Sequence, residues 1–124
     1  MMQQRMLVAI VDDDESVRES LPALLGVLGL AARPFASAEE FLASDCVAAA
    51  QCLILDINLP GMSGPELQRE LIRRGHTIPT IFITAQSQQS IPPSLLDENV
   101  AKLLFKPFGK AELQAALNAA LPRA

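Results

Sequence analysis

The sequence has no long apolar run and no cluster of basic residues, and each absence excludes a class of protein. No stretch approaches the roughly 20 apolar residues that a membrane-spanning helix needs. The apolar run over residues 6–11 is too short for a secretory signal peptide and ends in acids. The net charge is −4 and the basic residues are dispersed, which argues against nucleic-acid binding by this segment. We therefore expect a cytoplasmic protein that contacts neither membrane nor nucleic acid directly.

Cysteine and histidine are also scarce. Cys46 and Cys52 are the two cysteines, and their spacing fits neither a CxxC pair nor a Cys/His zinc pattern. In a cytoplasmic chain we expect both to be reduced and buried. His76 is the single histidine, and no role is assigned to it.

Hydrophobic residues, in contrast, make up 50% of the 124 residues, enough to bury the core of one domain spanning residues 1–124. Apolar runs typical of buried strands alternate with amphipathic stretches, at residues 6–11, 31–35, 52–55, 80–83 and 103–105. Buried strands joined by amphipathic helices predict an α/β fold, a single doubly wound domain with helices on both faces of a parallel sheet.

Local signals refine this prediction. Pro34 lies inside the second run, and because proline cannot donate a ladder hydrogen bond, that strand is predicted at a sheet edge. Ser37 with Glu40 predicts a capping box at one helix start, and Ser63 is expected to cap another helix. Between the fourth and fifth strands, Pro92-Pro93 disfavours helical geometry. The fourth helix of the alternation is therefore predicted to be short, over about residues 94–100, after an irregular loop.

Reactive side chains follow the predicted strands at their carboxyl ends. Asp12 and Asp13 follow the first strand, Asp56 the third, Thr84 the fourth and Lys106 the fifth. In open parallel α/β sheets these ends form one ligand-binding edge. The sequence therefore predicts that these side chains meet there, whereas Asp14 is expected to cap the first helix.

Carboxylates this close repel one another and require a compensating cation. An all-oxygen set of ligands suits Mg²⁺. Together with Lys106 and the Thr84 hydroxyl, the ion would surround a transferring phosphoryl group, whose transfer depends mainly on positioning and charge neutralisation. Asp56 fits the role of nucleophile, giving an acyl phosphate.

Four separated segments also carry a family resemblance: Val11-Asp12-Asp13, the stretch from Leu55 to Gly64, Ile83-Thr84-Ala85 and Lys106-Pro107-Phe108. In order and spacing they resemble the receiver domains of two-component response regulators, most of all those of nitrogen-fixation (FixJ-type) transcriptional regulators. The resemblance implies a flavodoxin-like sheet of five parallel strands in the order 2-1-3-4-5. It also implies a cis Lys106–Pro107 bond.

The resemblance further implies roles for individual residues. Asp56 would be the phosphoacceptor. Mg²⁺ would bind Asp13, Asp56 and the backbone carbonyl of Asn58, with Asp12 acting through metal-bound water. Thr84 and Lys106 would contact the phosphoryl group.

Four further positions would modulate the reaction. Ala85 would leave room for the phosphoryl group, and Asn58 and Gln86 would flank the entry of hydrolytic water. Leu103 stands where most receivers carry Tyr or Phe, so an aromatic rotation cannot transmit the signal here. An altered dimer or partner surface, formed with the fourth helix, is the resulting hypothesis.

As partners, the resemblance implies a histidine kinase or phosphotransfer protein, a homodimer on phosphorylation, and a DNA-binding domain outside this segment. The chain would catalyse only its own phosphorylation and dephosphorylation, and so would not be an enzyme in the usual sense.

Other functions remain to be weighed. A receiver-like protein-interaction module acting without phosphorylation usually lacks one of the acids, the threonine or the lysine, and all are present here. An aspartyl phosphatase usually has a second acid where Asn58 stands. A flavin or nucleotide binder is disfavoured because residues 12–15, all acidic, would repel phosphate.

Overall fold

The computed structural model describes residues 5–85 and 100–121, without the side chains of residues 100–102. Within these ranges the strands are β1 Leu7–Val11, β2 Ala31–Phe35, β3 Cys52–Asp56, β4 Thr80–Thr84 and β5 Val100–Phe105. The helices are α1 Glu15–Val27, α2 Ala38–Leu42, α3 Cys46–Ala49, α4 Gly64–Arg73 and α5 Lys110–Ala120.

The strands form one parallel sheet in the order β2-β1-β3-β4-β5, as expected. Pro34 lies in β2, which is an edge strand, where a missing amide donor costs least. Val11 pairs with Leu55, and Thr84 pairs with Phe105. This register brings the residues that follow β1 and β5 to the same edge of the sheet as the last residue of β3.

Alternate strand residues face two separate hydrophobic cores, as the period of a pleated strand requires. Val8 and Ile10 of β1 contribute to one core, together with residues of α1 and α5; we call it the α1/α5 core. Ala9 and Val11 contribute to the other, together with residues of α2, α3 and α4; we call it the α2/α4 core. With both faces covered, the polar edge at the strand ends is where the sheet can meet a ligand.

Both cysteines are free and buried, in agreement with the sequence analysis. Burial raises the pKa of the Cys52 thiol to about 12, so it stays protonated and unreactive at neutral pH. Among the described helices, none is long and apolar enough to cross a membrane.

The helix caps agree only partly with the sequence signals. Asp14 caps α1 by accepting the amide proton of Ser16 at 3.0 Å. Ser63 and Glu66 form a complete capping box at α4. At α2, Ser37 accepts from the Glu40 amide at 3.1 Å, but the Glu40 carboxylate accepts from the amide of Ala36 at 3.4 Å instead of the Ser37 amide.

Two elements differ from expectation. The short helix α3 was not predicted, because one turn is too short to display a helical period. β5 begins at Val100, so the helix predicted between β4 and β5, over about residues 94–100, cannot extend to that residue. The rest of that predicted segment, with Pro92-Pro93, lies outside the described residues.

Candidate functional site

Three carboxylates meet at the carboxyl edge of the sheet. Asp12, Asp13 and Asp56 can each direct an oxygen so that the three oxygens lie within 4.8 Å of one another. Asp12 is fully buried, Asp56 is 5% exposed, and Asp13 is exposed. The acids predicted from the strand ends are therefore brought together, because parallel pairing places β1 beside β3 in register.

Lys106 places an ammonium group beside both buried acids. Its Nζ lies 2.8 Å from Asp12 Oδ2 and 3.6 Å from Asp56 Oδ2. Its amide donates to the Thr84 carbonyl at 2.8 Å, and the Lys106–Pro107 bond is cis, as expected. Burial opposes the charged form of Lys106, but contact with Asp12 and the charge of Asp56 outweigh that effect and raise the pKa of its ammonium.

Negative charge is nevertheless in excess. Burial, and then the charge of Asp12, raise the pKa of Asp56 from 3.8 to about 6, although Lys106 acts in the opposite direction. Asp12 Oδ2 is buried, and the Lys106 ammonium 2.8 Å away is its cationic contact. One ammonium beside three carboxylates leaves negative charge that a further cation could balance. An all-oxygen set of ligands suits a hard divalent ion.

The loop after β3 adds backbone groups to this edge. The Asn58 amide donates to Asp56 Oδ1 at 3.2 Å, and the Asn58 side chain is exposed. The Gly64 amide donates to the Ile57 carbonyl at 3.1 Å. A Cβ atom at Gly64 would collide with the Asp56 carbonyl oxygen. Glycine therefore lets the start of α4 pack directly against the backbone of the central acid.

The other predicted residues lie at different depths. Thr84 is fully buried at the end of β4, and Ala85, which follows it, is exposed. Leu103 is half-buried and packs against the α2/α4 core. Gln86 lies outside the described residues.

Two contacts near the site were missed by the sequence analysis. Arg18 Nη1 donates to the Asp12 carbonyl at 3.0 Å; its position one helical turn after Asp14 was a usable signal. Glu39 Oε2 accepts the amide proton of Met62 at 3.1 Å. These two residues are 23 positions apart, so no local pattern could have paired them.

Comparisons with known proteins agree with this geometry. The sequence profile described as "Response regulator receiver domain" matches residues 8–118. The transcriptional regulatory protein TdiR of Thauera aromatica is 37% identical over 92% of this chain and 50% of its own length. The transcriptional regulatory protein FixJ of Azorhizobium caulinodans is 36% identical over 98% of this chain and 58% of its own length.

A solved structure shows the same likeness. The response regulator StyR superposes with a TM-score of 0.86 and 36% identity, over 95% of this chain and 60% of that protein. The chain thus spans only about half the length of the curated relatives it matches.

Proposed function

Because this chain belongs to the response regulator receiver domain family and is homologous to two-component response regulators, we propose that it is a phosphorylation switch whose acceptor is Asp56. The observation that carries the proposal is the position of this acid. It is 5% exposed, lies beside Asp12 and Asp13, and has the Lys106 ammonium 3.6 Å away.

The acids and one carbonyl would hold the required cation. We propose that Mg²⁺ binds Asp13, Asp56 and the backbone carbonyl of Asn58, with Asp12 acting through a metal-bound water. When bound, the ion neutralises charge on the transferring phosphoryl group. The oxygen-only chemistry and the excess of negative charge support this choice.

The protein side chains would carry out the transfer as follows. A carboxylate oxygen of Asp56 forms a bond to phosphorus as the bond from phosphorus to a histidine nitrogen of the donor breaks, and the leaving imidazole takes up a proton. Lys106 balances charge on the phosphoryl oxygens, and the Thr84 hydroxyl donates to one of them. Ala85 leaves space at the end of β4. Burial of Asp12 and Asp56 strengthens these electrostatic contacts.

Hydrolysis of the acyl phosphate would return the switch to its resting state. We propose that Asn58 and Gln86 flank the approach of water and so set the lifetime. Turnover would be confined to the protein's own aspartate, without bulk conversion of a free substrate. Asn58 cannot donate a proton as an acid at that position would, which disfavours an aspartyl phosphatase.

The relatives suggest the surroundings of the switch. Since several are named as transcriptional regulators and extend beyond the matched region, we propose one receiver domain over residues 1–124 that acts on a DNA-binding domain elsewhere in a longer protein. A histidine kinase or phosphotransfer protein would be the donor, and the protein would act in the cytoplasm. Phosphorylation would favour a homodimer. Leu103 would transmit the signal without the aromatic rotation usual in the family.

The test is to incubate the purified chain with Mg²⁺ and acetyl phosphate, or with beryllofluoride, and to measure intact mass and light scattering. We expect a gain of one phosphoryl group that is lost on chelation of Mg²⁺ and in Asp56→Asn. Asp45→Asn is the matched control, because Asp45 is exposed and makes no side-chain cap bond. A folded wild-type protein that gains no mass and binds no beryllofluoride would instead favour an interaction module that works without phosphorylation.

A further inference from the structure

The loop between β3 and α4 is joined to α2 by one charged side chain. Glu39, in the first turn of α2, accepts the Met62 amide proton at its Oε2. The same loop carries Asn58, which borders the acidic site. Glu39 therefore contacts the same loop that carries Asn58.

The backbone of the loop is shaped for this contact. Gly61 has a φ of +74°, in the left-handed region that glycine adopts most easily. A Cβ atom at this position would lie only 3.0 Å from Glu39 Oε2. The turn at Gly61 thus presents the next amide, that of Met62, to the carboxylate at close range.

The two sides of the loop are held by other contacts. On the site side, the Asn58 amide donates to Asp56, and buried Ile57 and Leu59 belong to the α2/α4 core. On the helix side, Ser63 and Glu66 form the capping box of α4. Among the described residues, the bond from Met62 to Glu39 is the one hydrogen bond that links residues 60–62 to another helix or strand.

We propose that Glu39 is a positioning residue for the metal-binding edge of the site, an inference that rests on the proposed function. By accepting from Met62, it restricts the turn that follows Asn58, and so restricts the direction of the Asn58 carbonyl. A looser turn would have to be ordered when the cation binds, and that ordering would weaken the affinity. The exposed site of Glu39 makes the expected effect modest.

The experiment compares Glu39→Ala, Glu39→Gln and Glu40→Ala in the intact chain. Glu40 is the matched control, because it lies in the same helical turn and, among the described residues, its side chain accepts only from the local amide of Ala36. Mg²⁺ affinity is measured by calorimetry, hydrogen exchange of the Met62 amide by NMR, and stability by urea unfolding.

We expect Glu39→Ala to speed exchange at Met62 and to weaken Mg²⁺ binding about two- to threefold, a fraction of the free energy of one hydrogen bond. Glu39→Gln keeps an acceptor oxygen and should recover most of the affinity. Glu40→Ala should bind Mg²⁺ like the wild type.

The inference is overturned if Glu39→Ala and Glu40→Ala bind Mg²⁺ equally well. It is also overturned if Glu39→Ala lowers the urea midpoint with no change in affinity, since that pattern indicates a purely structural role. A wild-type protein that binds no Mg²⁺ overturns the proposed function as well, which distinguishes that failure from the failure of Glu39 alone.

Discussion

Asp56 and Asp12 are buried side by side, and Lys106 balances only part of their charge. The Lys106 ammonium contacts Asp12 more closely than Asp56, at 2.8 Å against 3.6 Å. Burial of Asp56, and then the charge of Asp12, raise the pKa of Asp56, and Lys106 only partly opposes them. At the residue scale, the repulsion between these carboxylates lowers the stability of the protein when no cation is bound. Removing one of the charges should raise the stability, and removing the lysine should lower it.

Asp56→Asn should stabilise the protein at neutral pH in the absence of divalent ions. The folded-state pKa of about 6 exceeds the ordinary 3.8, so the stability linked to this group is present below pH 4 and is lost as pH rises through 6. Asparagine does not ionise, so the variant does not lose this stability. Its free energy of unfolding at pH 7 should exceed that of the wild type by on the order of 1–3 kcal/mol. Urea unfolding at pH 4 and pH 7 measures the difference in stability between the variant and the wild type. The same difference at both pH values would contradict this prediction.

Lys106→Met should have the opposite effect. It removes the ammonium beside Asp12, which is fully buried, while a side chain of similar length remains. Leaving a buried carboxylate without its cation costs roughly 3–5 kcal/mol. The urea midpoint at pH 7 without divalent ions should therefore fall. Lys110→Met, at an exposed position outside the site, serves as the control and should leave the midpoint nearly unchanged.

At the scale of elements, the start of α4 is positioned by close backbone packing. Gly64 is buried, and its Cα faces the carbonyl of Asp56 without room for a methyl group. The last residue of β3 and the first residue of α4 are thus in direct contact. The position of the acid and the position of the helix cannot be changed independently.

Gly64→Ala is therefore expected to destabilise the protein by about 2 kcal/mol or more, because α4 must move away from β3. It should also slow phosphorylation of Asp56 by acetyl phosphate. Gly26→Ala is the matched helical control: a Cβ atom there would meet no neighbouring group within 4 Å, and its φ is not positive. That variant should gain about 0.5–1 kcal/mol. Similar effects of the two substitutions would contradict this explanation.

At the scale of the whole molecule, the site joins parts of the chain that are distant in sequence. Residues after β1, at the end of β3 and after β5 share one edge, and two cores hold the strands in register. A ligand that binds this edge only in the folded state stabilises the whole domain by mass action.

Mg²⁺ should accordingly raise the melting temperature of the wild type. At an ion concentration tenfold above the dissociation constant, the gain in stability is about 1.4 kcal/mol. Asp13→Asn should reduce the gain, and Asp56→Asn should nearly abolish it. Differential scanning calorimetry with Mg²⁺, and with matched ionic strength from NaCl, separates binding from screening. An equal rise with NaCl would indicate screening alone.

The sequence by itself determined the parallel α/β fold, the edge position of Pro34, and the meeting of Asp12, Asp13, Asp56 and Lys106. This was possible because each strand is recognisable from a short apolar segment of the sequence, and because the carboxyl ends of parallel strands lie at one edge of the sheet. Tertiary structure alone decided the rest: the closer approach of Lys106 to Asp12, the fit of Gly64 against Asp56, and the bond from Met62 to Glu39. These contacts depend on distances between elements far apart in the chain, which packing determines and no local pattern encodes.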